Sequence, residues 1–361
     1  MINGGDYMKF ESFCAANSGL GFISFFDTLL NEKKHKVYYI KGGPGSGKST
    51  FMKEIAKSAD HAELILCSGD PSSIDGVILP KENAVVIDAT KPHSHEPKYP
   101  GVGGNILDLG IGWDSKKLDK EKIIALSDQK SKVYENCYNL LQSALCLKNN
   151  IFTALAQQID QVKLEYIGDK ILRQNALWEQ AGKEAVVKNR FLSCISPDGM
   201  FTLSATFEKL GKHFIILEDR WQISHILLSY LDRQLTKRGI DHINSYHPLA
   251  GKKTLQHIII PQANLSIISK DSVFCQDLPE ENIIRKINLQ TLLEKEYLES
   301  NKNKLNFIKR LEKEILLLAV DKLAEARFIH MEIEKEYAQG MNHTATQPLK
   351  ENLINNLFGK T

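Results

Sequence analysis

Lys48 stands in a run, Lys41-Gly-Gly-Pro-Gly-Ser-Gly-Lys-Ser-Thr50, whose residue types suit the capture of phosphate. Gly42, Gly47, Lys48 and Ser49 fill every fixed position of G-x-x-x-x-G-K-[ST]. Glycines let successive backbone N–H groups turn inward around a phosphate, and a helix starting behind them adds the positive end of its dipole. On this reading Gly42, Gly43, Pro44, Gly45, Ser46, Gly47, Lys48, Ser49 and Thr50 form a nucleotide cradle. Lys48 reaches the β and γ oxygens, and the Ser49 hydroxyl is placed to ligate Mg²⁺.

A phosphate loop needs an acid to complete the metal shell. Asp88 ends the apolar run Ala84-Val-Val-Ile87, the form expected of such an acid. Asp70 and Asp75 compete for the role, since Cys67-Ser-Gly-Asp70 also follows an apolar run and could face the same crevice. The polar stretch after Asp88 holds Thr90, His93, His95 and Glu96, which could orient water or substrate. Two histidines beside a glutamate also suit a metal, but no further ligands stand at a convincing spacing. The expected catalytic set is Lys48, Asp88, His93 and Asp70, with Ser49 and Asp88 as metal ligands.

These residues must be positioned by strands and helices. Lys36-Val-Tyr-Tyr-Ile40, Glu63-Leu-Ile-Leu-Cys67, Gly76-Val-Ile-Leu79 and Ala84-Val-Val-Ile87 read as strands. A helix from about Lys48 to Ala59 falls between the first two, so the class is α/β with at least part of its sheet parallel. Farther on, neither Gly nor Pro occurs from Trp113 to Ile167, nor from Glu280 to Gln339. Long stretches without breakers and with apolar residues three and four apart read as helices. In the first, Ile123, Leu126, Val133, Cys137, Leu140, Ala144, Leu147 and Ile151 keep that rhythm, which Lys130 interrupts. Periodicity alone leaves two readings open: helices packed on their own domain, or a projecting helical hairpin in each half.

The chain also repeats itself at a separation of about 180 residues. Without a gap, Tyr38-Tyr-Ile40 aligns with Phe214-Ile-Ile216, Phe51-Met52 with Leu227-Leu228, and Ile55 with Leu231. Ile74 to Pro80 resembles Leu255 to Pro261, and Phe13 to Gly19 resembles the stretch from Phe191 to Gly199. In the second copy the loop reads Glu218-Asp-Arg-Trp-Gln-Ile-Ser-His225, with no glycine to wrap a phosphate. Ser224 replaces the lysine, Ser269 replaces Asp88, and Glu218 and Asp219 would repel a polyphosphate. The second copy therefore reads as a module stripped of its nucleotide site. The expected domains are 1–189, with the armed loop and a helical arm, 190–340, with the stripped loop and its own arm, and a tail helix in 341–361.

Composition narrows the classes. The 361 residues carry 46 Lys+Arg against 44 Asp+Glu, which gives no reason for bulk nucleic-acid binding. Lysine-rich arms more often are solvated helix faces. The longest apolar run, Ile315 to Val320, cannot span a bilayer, and Met1 to Phe10 lacks the build of a signal peptide, so a cytoplasmic location is expected. Arg173 is the first arginine. An arginine finger must then come from Arg173, Arg190, the second half or another subunit, with Arg220 a candidate if the two modules face each other.

With these motifs in hand, the chain resembles the largely uncharacterised bacterial tandem P-loop ATPases. The resemblance rests on Asn17-Ser-Gly-Leu-Gly-Phe22, Gly42 to Ser49, Cys67-Ser-Gly-Asp-Pro71, Asp75-Gly-Val-Ile-Leu-Pro80, Asp88-Ala-Thr-Lys-Pro-His93 and Pro97-Lys-Tyr-Pro-Gly101. It implies two tandem P-loop NTPase-like three-layer modules, each followed by long helices, with ATP and Mg²⁺ as cofactors. Members usually keep a lysine-bearing loop in the second half, and this chain departs from them there. The resemblance brings no established substrate, and it alone favours ATP over GTP, since no N-K-x-D motif reads the base. The expected function is Mg²⁺-dependent ATP hydrolysis at one site in the first half. Alternatives are a small-molecule or nucleotide kinase, and a nucleotide-gated interaction protein with slow turnover. Besides the nucleotide, the helical arms leave room for a protein partner or a homo-oligomer.

Overall fold

The computed structural model describes residues 9–30, 36–91, 94–97, 99, 102, 104–271, 273–274 and 277–359. The first half runs β1 (Lys9–Phe13), β2 (Ala15–Ser18), β3 (Gly21–Ser24), α1 (Phe26–Leu30), β4 (Lys36–Lys41), α2 (Lys48–Ser58), β5 (Ala62–Leu66), β6 (Ile74–Leu79), β7 (Ala84–Asp88) and β8 (Asn105–Asp108). Two helices close it, α3 (Lys120–Ala156) and α4 (Gln161–Gln174). The second half repeats the plan: β9 (Val187–Arg190), β10 (Ser193–Ser196), β11 (Gly199–Thr202), α5 (Ser204–Leu210), β12 (His213–Glu218), α6 (Ser224–Lys237), β13 (His242–His247), β14 (Gly251–Ile260), β15 (Leu265–Lys270) and β16 (Ile283–Asn288), then α7 (Lys295–Ala338) and α8 (His343–Phe358). The boundary read at 189/190 falls inside β9.

Each half builds a six-stranded mixed sheet, so the class is α/β. The first has the order β1-β5-β6-β7-β4-β8 and the second, in the same sense, β9-β13-β14-β15-β12-β16. In both, a central antiparallel meander (β5-β6-β7, β13-β14-β15) is flanked by parallel pairs. Parallel neighbours need a crossover, and α2 and α6 supply it after the two loop strands. The α2 face of the first sheet buries Tyr38, Ile40, Val77 and Val86 against Phe51, Met52 and Ile55. Burying such side chains stabilises by roughly 1.5–3 kcal/mol each, which fixes the loop between strand and helix.

Register corrects one detail of the repeat. Ile40 lies opposite Asp88 in the first sheet, and Leu217 lies opposite Ser269 in the second. Asp88 therefore does correspond to Ser269. The strand equivalents, however, are Tyr38 with Ile215 and Ile40 with Leu217, one residue later than the ungapped alignment. The helices α2 and α6 start at Lys48 and Ser224, so the second loop is one residue shorter than the first. An ungapped alignment hides this, because a one-residue slip in two wholly apolar strands still matches apolar to apolar.

The long helices follow neither reading left open by periodicity. They pack antiparallel on each other, one from each half, burying Val133, Cys137, Leu141 and Ala144 against Leu316, Ala319, Leu323 and Ala326. Each then delivers its terminal helix to the opposite sheet: α4 packs on α6 and α8 on α2. Gly168 allows the first approach, since a Cβ there would lie 2.5 Å from the Tyr230 ring. Leu353 of α8 joins the core around Phe51. The arrangement is nearly twofold. Phe13 and Phe191 exchange backbone bonds at 2.9 and 2.8 Å, and Trp113 bridges Met341 as Leu293 bridges Ile159. Among the described residues no helix is long and apolar enough to cross a membrane.

Candidate functional site

Between β4 and α2 the chain makes a turn that only glycine accommodates: Gly42, Gly45 and Gly47 have φ of 139°, 73° and 83°. A Cβ on Gly42 would stand 2.7 Å from Ser46 Oγ, and one on Gly43 2.5 Å from the Trp113 ring. Gly47 caps α2 without a side-chain hydrogen bond, so no side chain of the cap takes up the amides of the first turn. Ser46 Oγ donates to the Gly43 carbonyl at 2.9 Å and holds the turn.

Lys48 Nζ folds back on the loop, donating to the carbonyls of Gly42 at 2.6 Å and Gly43 at 2.9 Å. It also stands 3.6 Å from Asp88 Oδ2. The other Asp88 oxygen accepts from Thr90 N–H and Oγ–H at 2.9 and 2.5 Å. Burial raises the Asp88 carboxyl above its ordinary value, outweighing the pull of Lys48 and Thr90. Ser49 Oγ, in the first turn of α2, accepts the Ile74 N–H at 3.0 Å. Lys48, Ser49 and Asp88 are thus gathered at the carboxyl ends of β4 and β7. Thr50 is exposed.

The other expected residues fall into two groups. Asp70 closes a turn, accepting from Ser72 Oγ at 2.8 Å and Ser73 Oγ at 2.7 Å. Burial pushes its carboxyl up, but the serine hydrogen bonds prevail and leave it below its ordinary value. Asp75 is buried in β6 and hydrogen-bonded to the Cys67 thiol. Glu96 pairs with Lys41 at 2.5 Å, and that lysine also donates to the carbonyls of Ala89 and His95. His93 lies outside the described residues. The arginine candidates stand elsewhere: Arg173 stacks on Trp178, Arg190 is buried against Glu63, and Arg220 bonds Asn306.

The crossing helices bring residues that periodicity did not mark. The carboxylate of Glu334, on α7, is raised by burial and pulled back by the nearby Gly45 N–H and by Lys48 and Lys130. Its Oε1 lies 3.7 Å from Nε2 of His330, whose Nδ1 lies 3.3 Å from Nζ of Lys130 on α3. The α7 backbone passes close enough that a Gly45 Cβ would lie 3.2 Å from the Glu334 carbonyl. Tyr337 packs on Trp113 with ring centres 5.0 Å apart, and His343 and Lys350 of α8 flank Gly47. Lys130 could have been suspected, because it breaks the apolar rhythm of α3. His330 and Glu334 carried no such signal, sitting among many charged residues of α7.

The second loop is closed by its own side chains. Asp219, at the position of Gly42, accepts from the amides of Ile223 at 2.7 Å and Ser224 at 3.0 Å, and from Ser269 Oγ at 3.2 Å. A carboxylate thus occupies the amides at the start of α6. Gln222, at φ 59°, accepts from Lys148 Nζ at 2.9 Å and donates to Glu312 Oε1 at 3.3 Å. Family models, curated proteins and solved structures contain no match to this chain.

Proposed function

We propose that the chain binds ATP with Mg²⁺ at residues 42–50 and hydrolyses it at this single site. The observation that carries the reading is the meeting of Lys48 and Asp88, 3.6 Å apart, at the mouth of a glycine cradle. Lys48 leaves the loop carbonyls for the phosphate oxygens, and its charge offsets theirs. Ser49 and Asp88 would hold Mg²⁺, which when bound would neutralise negative charge on the phosphates. Asp88, raised by burial, ionises fully once a cation faces it. The preference for ATP and the membership of the P-loop class rest on the resemblance of the motifs.

A second reading, a nucleotide-gated interaction protein, is favoured by the nearness of Glu334 to the Gly45 N–H. A polyphosphate in the cradle repels that carboxylate, and α7 carries the change along its 44 residues. Phosphate release from ATP and GTP, with Lys48→Ala as control, tests the first reading. Turnover that depends on Lys48 is expected, and full activity in the variant overturns the reading. Slow turnover unaffected by small acceptors would favour the second.

A further inference from the structure

The two loops are served by equivalent points of the paired helices, and the residues there differ in a telling way. The register that matches Ile159 with Met341 also matches Lys130 with Glu312 and Lys148 with His330. At the second loop the pair is therefore Lys148 and Glu312, opposite charges joined through Gln222. At the first it is Lys130 and His330, two basic groups 3.3 Å apart. The second pair is bridged by a side chain of its own loop, while the first sets an ammonium against a partly exposed imidazole with no loop residue between them. Two anions act on it, Glu334 and Asp70, and Glu334 stands where α7 passes closest to Gly45. Burial lowers Lys130, and burial together with Lys130 and Lys48 lowers His330 to about 4, as expected of basic groups short of counter-charge. His330 lies one turn before Glu334 on α7, where a Gly45 Cβ would stand 3.2 Å from the Glu334 carbonyl, so the pair sits beside the phosphate loop.

We propose that Lys130 of α3 and His330 of α7 bind the terminal phosphate of the nucleotide held by residues 42–50, in the place that Glu334 takes in the free protein. This deepens the proposed function and rests on it. The two halves then build one site between them: the first half supplies cradle and metal ligands, and the paired helices supply the wall that recognises a third phosphate. Lys130 serves where the first 172 residues, without arginine, have no guanidinium to offer. No group is transferred in this step; a phosphate replaces a carboxylate beside two basic side chains.

The test compares a non-hydrolysable ATP analogue with ADP, each titrated calorimetrically with Mg²⁺ into the full chain. The wild-type protein is expected to prefer the triphosphate. Lys130→Met should lower that preference about tenfold while leaving ADP affinity within about twofold, because a charge-assisted contact to the third phosphate alone is lost. Lys130→Arg should restore it, which a merely structural role would not require. Glu334→Gln should tighten triphosphate binding about fivefold by removing the competing carboxylate. An unchanged preference in Lys130→Met, with ADP still bound, overturns this proposal and leaves the function standing. Failure of the wild-type protein to bind either nucleotide overturns both.

Discussion

The first loop and the second differ less in fold than in who supplies the anion. Both follow the fifth strand of a sheet with the same order, and both lead into a helix with the same buried face. In the first, glycines with positive φ leave the amides to be met from outside, and Glu334 of the other half stands near one of them. In the second, Asp219 meets two amides from within the loop itself. An amide already bonded to a carboxylate a few residues away has no reason to bind phosphate, since the intramolecular partner pays no entropy of association. Duplication thus left one loop open and closed the other. The open one is faced by Glu334 of α7.

The largest effect should come from the residue the second loop lacks. Lys48→Ala is expected to lower turnover at least about a hundredfold and to weaken nucleotide binding, whereas Ser224→Ala should change neither. Steady-state phosphate release checks both, and comparable losses would break the contrast between the loops. Gly42→Asp places a carboxylate where Asp219 stands in the second loop. It should abolish nucleotide binding in a calorimetric titration, through the charge and through a Cβ 2.7 Å from Ser46 Oγ. Retained binding would show that the carboxylate alone does not close a loop.

Acid sharpens the comparison further. His225 beside the second loop and His330 beside the first are both lowered to about 4, chiefly by burial. A histidine lowered on folding stays neutral while the unfolded chain takes up a proton near pH 6.5. Stability is therefore full above that value and falls as pH drops toward 4, by up to roughly 1.4 kcal/mol per pH unit for a fully buried ring. The His330 side chain is 38% exposed, so solvent screens it and its share is smaller. Urea unfolding from pH 7 to 4 should become flatter in His225→Asn than in His330→Asn, and the reverse order would contradict the assigned burial. The smallest effect is expected of Asp219→Ala. It should cost about 1–2 kcal/mol through the lost cap, read as a lower melting temperature, with turnover in the first half unchanged.

Much of this was legible in the residues. The loop motif, the strand that ends in Asp88 and the loss of both in the second copy depend on local sequence, because glycine, lysine and a strand-end carboxylate act within a few residues of one another. The correspondence of Asp88 with Ser269 was readable too, and the strand register agrees with it. The shortened second loop was not, because apolar strands align equally well one residue out of step. Nor was the placement of the arms. An amphipathic helix declares that one face is buried without naming its partner, so α3 and α7 could have packed at home as readily as across the halves. His330 and Glu334 were hidden for the same reason.

The sequence by itself determined a duplicated α/β chain with one glycine-rich loop and one without glycine, since backbone freedom and local charge set both properties. Only the tertiary structure decided that Lys130, His330 and Glu334 converge on the open loop, and that Asp219 fills the closed one. Contacts between residues some 200 positions apart depend on how helical faces pack, and packing is a property of the folded whole.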